Sequence, residues 1–85
     1  MTRQTEHPYV VKSPAIRGGK AIVAGTRIPV WLIVANMQAD VDPTELQAAY
    51  PELTLAQIHD ALSYYYDHAE EIDADIQAQQ TAPAA

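Results

Sequence analysis

The sequence pattern changes over six residues, from Gly25 to Val30, where turn-forming and β-prone residues give way to a helical pattern. A glycine permits a turn with positive φ, and the residue before a proline is driven to extended geometry. A proline fits the first turn of a helix, because the N–H that it lacks has no partner there. Gly25, Ile28 and Pro29 therefore predict a turn, a short strand and the start of a helix, in that order.

The charges divide at the same point. Every lysine and arginine lies at or before Arg27, so residues 1–27, which we call the basic arm, carry a formal charge of +4. The rest of the chain has ten acids and no lysine or arginine, and it counts to −10. The net charge of −6 argues against non-specific binding of nucleic acid by the whole surface. A local basic arm can still contact phosphates.

Eighty-five residues allow one domain with a modest core, since a chain of this size buries only about 60–65% of its unfolded surface. The chain has no cysteine, so hydrophobic packing must supply its stability without disulfides or thiolate metal sites. A homodimer would enlarge the core, and we expect one. No basic-then-apolar leader or apolar run of about 18 residues is present, so we expect a cytoplasmic protein that does not contact a membrane.

Residues 1–8 are polar and without periodicity, which predicts a flexible leader in front of a single domain over 9–80. A short β segment is expected over 9–28, because two β-prone runs, 9–11 and 21–23, are bounded by turn-forming residues. The two strands could pair with each other or with copies in a second subunit. The sequence leaves both arrangements open.

Helical signals follow Pro29. Apolar residues recur with helical spacing and predict a first helix over about 29–38. Asp42 as the N-cap, Pro43 at the first position and Glu45 at the third predict a second helix over 43–50, which Pro51 ends. A further capping box, from Thr54 to Gln57, begins a third helix.

The third helix is predicted to be long. Its apolar residues alternate between spacings of four and three, without proline or glycine until Thr81, which predicts one helix over about 55–79, roughly 36 Å long. Tyr65 is expected in the core, with Tyr64 or Tyr66 at least partly exposed. The second half, from Ala69, is expected to extend past the core onto another chain or to fray, and 81–85 to form a disordered tail. The apolar positions are Ile58, Leu62, Tyr65, Ala69, Ile72 and Ile76.

The second and third helices and the short turn between them have the lengths of a helix-turn-helix. The predicted fold class is mainly α with a short N-terminal β segment: a tri-helical helix-turn-helix, homeodomain-like or winged-helix-like, with an extended C-terminal helix. An ordinary three-helix fold has the same lengths. As a recognition helix the third helix would offer Thr54 and Gln57, and a glutamine can pair with adenine. Phosphate contacts would come from Lys12, Arg17, Lys20 and Arg27, although Arg27 could instead pair with an acid of the helical body.

The chain shows little that predicts catalysis. His68 has acids on both sides, but His59 and His68 are nine residues apart, too far to share one ion, and a solvated helix face explains them equally well. No nucleophile motif is present, and Gly18-Gly19-Lys20 is too short for a phosphate loop. We expect no catalytic residue, metal, cofactor or small-molecule substrate.

Three stretches, together with the helix that follows the last, resemble a bacterial family catalogued as a domain of unknown function, the four-hundred-and-thirty-third in its series. They are Gly19-Lys20, Gly25-Thr26-Arg27-Ile28-Pro29-Val30 and Tyr50-Pro51-Glu52-Leu53-Thr54, and the likeness runs from Val10 to about Ile72. The resemblance implies a homeodomain-like helix-turn-helix with a short β segment in front. Some members resemble VapB-type antitoxins, encoded beside a PIN-like ribonuclease toxin. Asp40 stands where the family usually has glycine, and aspartate tolerates the left-handed geometry of that turn.

Two functional hypotheses follow. In the first, an antitoxin-like dimer binds operator DNA through its N-terminal portion and helix-turn-helix, and its acidic C-terminal helix occupies the groove of a toxin. In the second, the protein is an adaptor that binds proteins and has no contact with DNA. The acids of the C-terminal helix could also do no more than keep a dimer helix soluble. The residues predicted to bind the partner are Tyr66, Glu70, Glu71, Ile72, Asp75 and Ile76.

Overall fold

The computed structural model describes residues 2–81, except for the side chain of Thr81. Over these residues a small antiparallel sheet precedes four helices, which confirms the predicted mainly helical class with a β segment in front. No helix within this range is long and apolar enough to cross a membrane. The elements are β1 (Arg3–Gln4), β2 (Val10–Lys12), a 3-10 turn (Arg17–Gly19), β3 (Ala21–Val23), α1 (Val30–Gln38), α2 (Pro43–Ala49), α3 (Leu55–Asp67) and α4 (Ala69–Thr81).

The three strands lie in chain order. β2 pairs with β3, with Val10 opposite Val23, so the two strands that the sequence left unassigned pair with each other. β1 pairs with the other edge of β2. The predicted flexible leader is therefore wrong for residues 2–8: the hydroxyl of Thr5 donates to the carbonyl of Val10 at 2.6 Å, and His7 is only 7% exposed. The partners of His7, Asp60 and Asp67, are more than fifty residues away in the chain, so no local pattern predicts that the segment is held.

The hexapeptide from Gly25 to Val30 forms the predicted turn and helix start, whereas the predicted short strand is reduced to an isolated bridge between Pro29 and Ile22. Gly25 has a φ of 80°, and the hydroxyl of Thr26 closes the turn by donating to the carbonyl of Val23 at 2.9 Å and accepting the N–H of Ile28 at 3.0 Å. Pro29 is the N-cap of α1 rather than its first helical residue, so the helix begins at Val30, one residue later than predicted. This turn therefore joins β3 directly to α1.

The helix-turn-helix signals are also confirmed. Asp40 has a φ of 64°, as expected of the residue that replaces glycine after the first helix. Asp42 and Glu45 form the capping box of α2, and Thr54 and Gln57 form that of α3. Each box satisfies N–H groups that the first turn of a helix leaves without partners, which fixes where α2 and α3 begin.

The predicted single helix over 55–79 is wrong. α3 ends at Asp67, His68 has non-helical dihedrals of φ −135° and ψ 45°, and α4 turns back over α1. Ile72 is completely buried and Ile76 packs against the core, so the second half of the predicted helix belongs to this domain rather than projecting from it. A periodic apolar stripe is buried equally well by a partner or by a helix that folds back. The predicted tail over 82–85 lies outside the described residues, and Thr81 ends α4.

The different burial of the three consecutive tyrosines follows from the break at His68. Tyr64 is 1% exposed and lies in the core, whereas Tyr65 is half-buried and packs at the edge of the core. Tyr66, at 79% exposure, is the tyrosine that fits the predicted exposed position. The hydroxyl of Tyr64 donates to the carboxylate of Glu71 at 2.9 Å. A buried tyrosine needs such a partner, and the break at His68 brings the first turn of α4 back to supply it.

Burial of Ile72 makes α4 part of the core, which urea unfolding can test. Ile72→Ala should lower the free energy of unfolding by about 2–5 kcal/mol, the usual cost of a cavity at a buried isoleucine. Ile76→Ala is the matched control on the same helix and should cost less, because Ile76 is only partly buried. If Ile72→Ala costs no more than Ile76→Ala, α4 does not close the core.

The Tyr64 hydroxyl should contribute a measurable part of the stability. Tyr64→Phe should lower the free energy of unfolding by about 1.5 kcal/mol, because it deletes a hydrogen bond to a charged group. Tyr66→Phe removes the same atom from an exposed ring and should stay within about 0.5 kcal/mol of the unchanged protein. Equal effects of the two changes would contradict the contact between Tyr64 and Glu71.

Candidate functional site

The strand register brings distant basic residues to one end of the sheet. Arg3 lies opposite Lys12 across β1 and β2, and Lys12 lies opposite Ala21 across β2 and β3. Lys20 immediately precedes that last pair. Sequence reasoning missed Arg3, because it assigned residues 1–8 to a flexible leader, and nothing in so short a strand predicts its register.

A left-handed turn completes this surface. Arg17, Gly18 and Gly19 have φ values of 53°, 64° and 84°, and the two glycines line an open cleft of about 360 Å³ together with Arg3, Lys12 and Pro14. The Nε of Arg17 donates to the carbonyl of Arg27 at 3.2 Å, which ties the turn to the hexapeptide. We call this end of the sheet, together with the turn and the hexapeptide tied to it, the basic face; its cationic residues are Arg3, Lys12, Arg17, Lys20 and Arg27.

Acids of α4 reach the lysines of the basic face. The Nζ of Lys12 lies 3.0 Å from Oε2 of Glu71, with both side chains partly exposed. Burial raises the pKa of the Asp75 carboxyl, while the nearby charge of Lys20 acts in the opposite direction. Arg27 is exposed and forms no ion pair with any residue between 2 and 81, so the alternative in which it pairs with an acid of the helical body is wrong.

The predicted base-reading residues lie elsewhere and are already engaged. The Oε1 of Gln57 accepts the N–H of Thr54 at 2.8 Å, and the Oγ1 of Thr54 accepts the N–H of Gln57 at 3.1 Å. Bidentate pairing with adenine would need that same Oε1 as the acceptor. Contact of these two residues with DNA stays a prediction, and in it the Oε1 of Gln57 would serve both the capping box and the base, since an amide oxygen can accept two hydrogen bonds.

Two contacts show how the basic face lies against the helices. The N–H of Tyr9 donates to Asp60 in the middle of α3, whereas Lys12 meets Glu71 in the first turn of α4. β2 therefore runs from the middle of α3 toward the break between α3 and α4. The basic face borders that break, so the structure does not bring it together with the first turn of α3.

The predicted partner-binding residues divide into two groups. Ile72 is buried, Ile76 packs on the core, Glu71 is bound to Tyr64 and Lys12, and Asp75 is half-buried. Contact of these four residues with a partner stays a prediction, and it would compete with their contacts inside the domain. Tyr66 and Glu70 remain exposed. They lie with Asp67 along an open cleft of about 510 Å³, whose other lining residues are His68, Ala69 and Glu71.

His7 forms a buried contact between the N-terminal segment and α3. Its Nε2 lies 2.7 Å from Oδ2 of Asp67, and its Nδ1 lies 3.3 Å from Oδ1 of Asp60. Its ring packs edge-to-face with that of Tyr64, with the two ring centroids 5.5 Å apart. Burial lowers the pKa of His7, but the bonds to Asp67 and Asp60 outweigh it, so the pKa is raised overall. Sequence reasoning gave His7 no role, because an isolated histidine before a proline carries no signal.

A second histidine joins the same segment to the break. The Nε2 of His68 lies 3.0 Å from Oε1 of Glu6, and its ring stacks on Tyr64 with centroids 4.3 Å apart. The bond to His68 lowers the pKa of Glu6, and burial together with Glu71 raises that of Tyr64. The solvated-face alternative is thus wrong for His68, which is half-buried and bonded.

Both histidines have a structural role, because each bonds to carboxylates across the contact between the N-terminal segment and the helices. Both ring nitrogens of His7 face carboxylates, so neither is free to act on a ligand. Over residues 2–81 no group of three or more histidine or acidic side chains is arranged to hold a metal ion. The arrangement fixes the N-terminal segment against the helices.

Comparisons with known proteins agree with one another on the family. The chain is similar to a solved protein titled as the crystal structure of a DUF433 member protein from Anabaena variabilis ATCC 29413, with a TM-score of 0.78 and 39% identity, covering 81% of this chain and 68% of that one. A search of curated proteins gives no significant match. Neither comparison bears on the likeness to VapB-type antitoxins, which stays a prediction. The family model described as Protein of unknown function (DUF433) matches residues 10–65, and the chain therefore belongs to that family.

Proposed function

We propose that the protein is a non-enzymatic, antitoxin-like DNA-binding protein of a bacterial toxin-antitoxin pair. It binds operator DNA as a dimer and uses an acidic surface to bind a PIN-like ribonuclease toxin in the cytoplasm. The observation that carries the proposal is the cleft lined by Arg3 and Lys12, next to the turn that Arg17 ties to Arg27. All five lysines and arginines of the chain belong to these N-terminal segments, although the net charge is −6. The exposed cations suit a polyanion, and the exposed acids Asp67 and Glu70 suit a cationic partner.

The basic face has the chemistry of a phosphate contact. Most hydrogen bonds between proteins and DNA go to the sugar-phosphate backbone, and arginines supply many of them. Arg3, Arg17 and Arg27 are exposed. A Cβ at Gly18 would meet no atom within 4 Å, so the backbone of the left-handed turn is open to a close approach by an anion.

Sequence preference would come from α3. Helix-turn-helix proteins bind two half-sites as dimers, with the recognition helix in the major groove. The basic face does not lie beside the first turn of α3, so the proposal assigns most of the affinity to phosphates and a smaller share to Thr54 and Gln57. Dimerisation then doubles the number of cations on one operator.

The exposed part of the toxin surface is smaller than the sequence predicted. Tyr66 and Glu70 are exposed, next to Asp67, at the break between α3 and α4. An exposed tyrosine among carboxylates fits a partner that presents arginine or lysine, since its ring face attracts cations and its hydroxyl can bond at a wet interface.

The same tyrosine supports a second candidate, an adaptor that binds proteins and not DNA. The acids that face Lys12 and Lys20 weaken the basic face, and this observation favours the adaptor. The two candidates differ in one measurement, because an adaptor would not bind duplex DNA at about 50 mM salt, where phosphate contacts are strongest.

Salt dependence tests the proposed function. If three or four cations of each subunit contact phosphate, the slope of log K against log salt should be roughly −5 to −7 for a dimer. Changing Lys20 and Arg27 together to alanine should flatten it by about 3 to 4, because four phosphate contacts are lost per dimer. The exchange Lys20→Arg with Arg27→Lys keeps the charge and is the control.

Fluorescence anisotropy with an operator-length duplex gives the slopes, and sedimentation gives the oligomeric state under the same conditions. A slope that the alanine changes leave unaltered would contradict the role of the basic face. Sedimentation at the monomer mass of 9.3 kDa would contradict the dimer.

Glu71 should act as an internal competitor of DNA. Glu71→Gln frees Lys12 while keeping an oxygen for the hydroxyl of Tyr64, so DNA affinity should rise and the salt slope should steepen by about 2 per dimer. Glu70→Gln is the matched control, because it removes the same charge from an exposed neighbour that does not touch Lys12. Equal effects of the two changes would show that overall charge, and not release of Lys12, is responsible.

A further inference from the structure

The segment from Thr5 to Tyr9, which we call the strap, joins β1 to β2 and lies against α3. The hydroxyl of Thr5 holds one end, at the carbonyl of Val10, and the N–H of Tyr9 holds the other, at Oδ2 of Asp60, 2.8 Å away. His7 lies between them and is almost completely buried. The strap therefore depends on a titratable side chain at its centre.

The geometry of His7 fits its charged form. A neutral imidazole has one N–H and can donate to one acceptor only. His7 has a carboxylate at each nitrogen, Asp67 at 2.7 Å and Asp60 at 3.3 Å. Only the imidazolium donates to both, and loss of its proton leaves one carboxylate facing a ring lone pair.

The other titratable groups around the strap have hydrogen-bond or ion-pair partners other than His7. From α3, the hydroxyl of Tyr64 points to Glu71 of α4, which also binds Lys12. From the break, His68 stacks on Tyr64 and bonds to Glu6 of the strap itself. Asp60 and Asp67 are therefore the two carboxylates that bond directly to His7 within the described residues.

We propose that the strap is a pH-sensitive clasp, which holds β1 and Arg3 in place while His7 is protonated and releases them as the pH rises. Arg3 is joined to the sheet by its pairing with Lys12 across β1 and β2. Release of the strap therefore removes one wall of the basic cleft. The effect on DNA rests on the proposed function, whereas the clasp itself does not.

The direction follows from the two pKa changes. The pKa of His7 is raised above its ordinary 6.5, so its stabilisation is complete below about pH 6.5 and is lost as the pH rises through the folded-state pKa. The pKa of Glu6 is lowered from 4.5, so its contribution is present above about pH 4.5 and is lost as the pH falls. The clasp is tightest between these two limits.

Amide hydrogen exchange tests the clasp. Protection of the Tyr9 and Val10 amides, corrected for intrinsic exchange, should fall about tenfold between about pH 6 and pH 8.5. Amides of α1 should not change in this way. In His7→Gln the protection should be low at both values, while His59→Gln, which changes an exposed histidine of α3, should behave like the unchanged protein. Equal protection of Tyr9 at both values, or an unaltered pH dependence in His7→Gln, would overturn the proposal.

Two further measurements keep the test decisive. If His7→Gln fails to fold, the imidazole of His7 is titrated by NMR in the unchanged protein and in Asp67→Asn. A midpoint above 6.5 that falls in Asp67→Asn supports the clasp, and a midpoint below 6.5 in the unchanged protein overturns it.

Duplex binding at constant ionic strength separates the clasp from the proposed function. Affinity that falls with rising pH in the unchanged protein but not in Arg3→Ala supports the delivery of Arg3, and affinity that ignores the opening of the strap overturns that step. Absence of DNA binding at every pH counts against the proposed function and leaves the exchange result on the clasp unaffected.

Discussion

The rest of the structure depends on the return of α4 to the core, where Ile72 is completely buried. The hydrogen bond from Tyr64 to Glu71 spans the break at His68 and adds to that burial. Because α4 is held there, Ile72 closes the core, Glu71 reaches Lys12, and the ring of His68 stacks on that of Tyr64. A small chain without cysteine gains from this arrangement, since it buries apolar surface that a projecting helix would expose.

The same arrangement sets the electrostatics. A basic arm and an acidic helix, distant in the chain, lie side by side once α4 folds back. Glu71 of α4 forms an ion pair with Lys12 of the basic arm. The arginines of the arm remain exposed to solvent. The phosphate binding that we propose would therefore be a competition between a partner's anions and the chain's own carboxylates, with a strength set by how many cations α4 leaves free.

The N-terminal segment shows how much one buried polar residue can organise. His7 is satisfied by two carboxylates on a helix more than fifty residues away, and this contact converts an apparent leader into the edge of the sheet. Buried polar groups are costly unless they are fully bonded, so the segment is held by specific partners rather than by apolar burial. An element held in this way responds to the protonation of its central residue.

The sequence by itself determined the elements that local chemistry controls: the turn at Gly25, the helix start after Pro29, the left-handed Asp40 and the two capping boxes. Each depends on contacts within about four residues, which a reader of the sequence can see. Only the tertiary structure decided that β1 pairs with β2, that the last helix breaks at His68, and that Tyr64 rather than Tyr65 is buried. Those outcomes depend on contacts between residues far apart in the chain, where a period of apolar residues says that a face is buried but not what covers it.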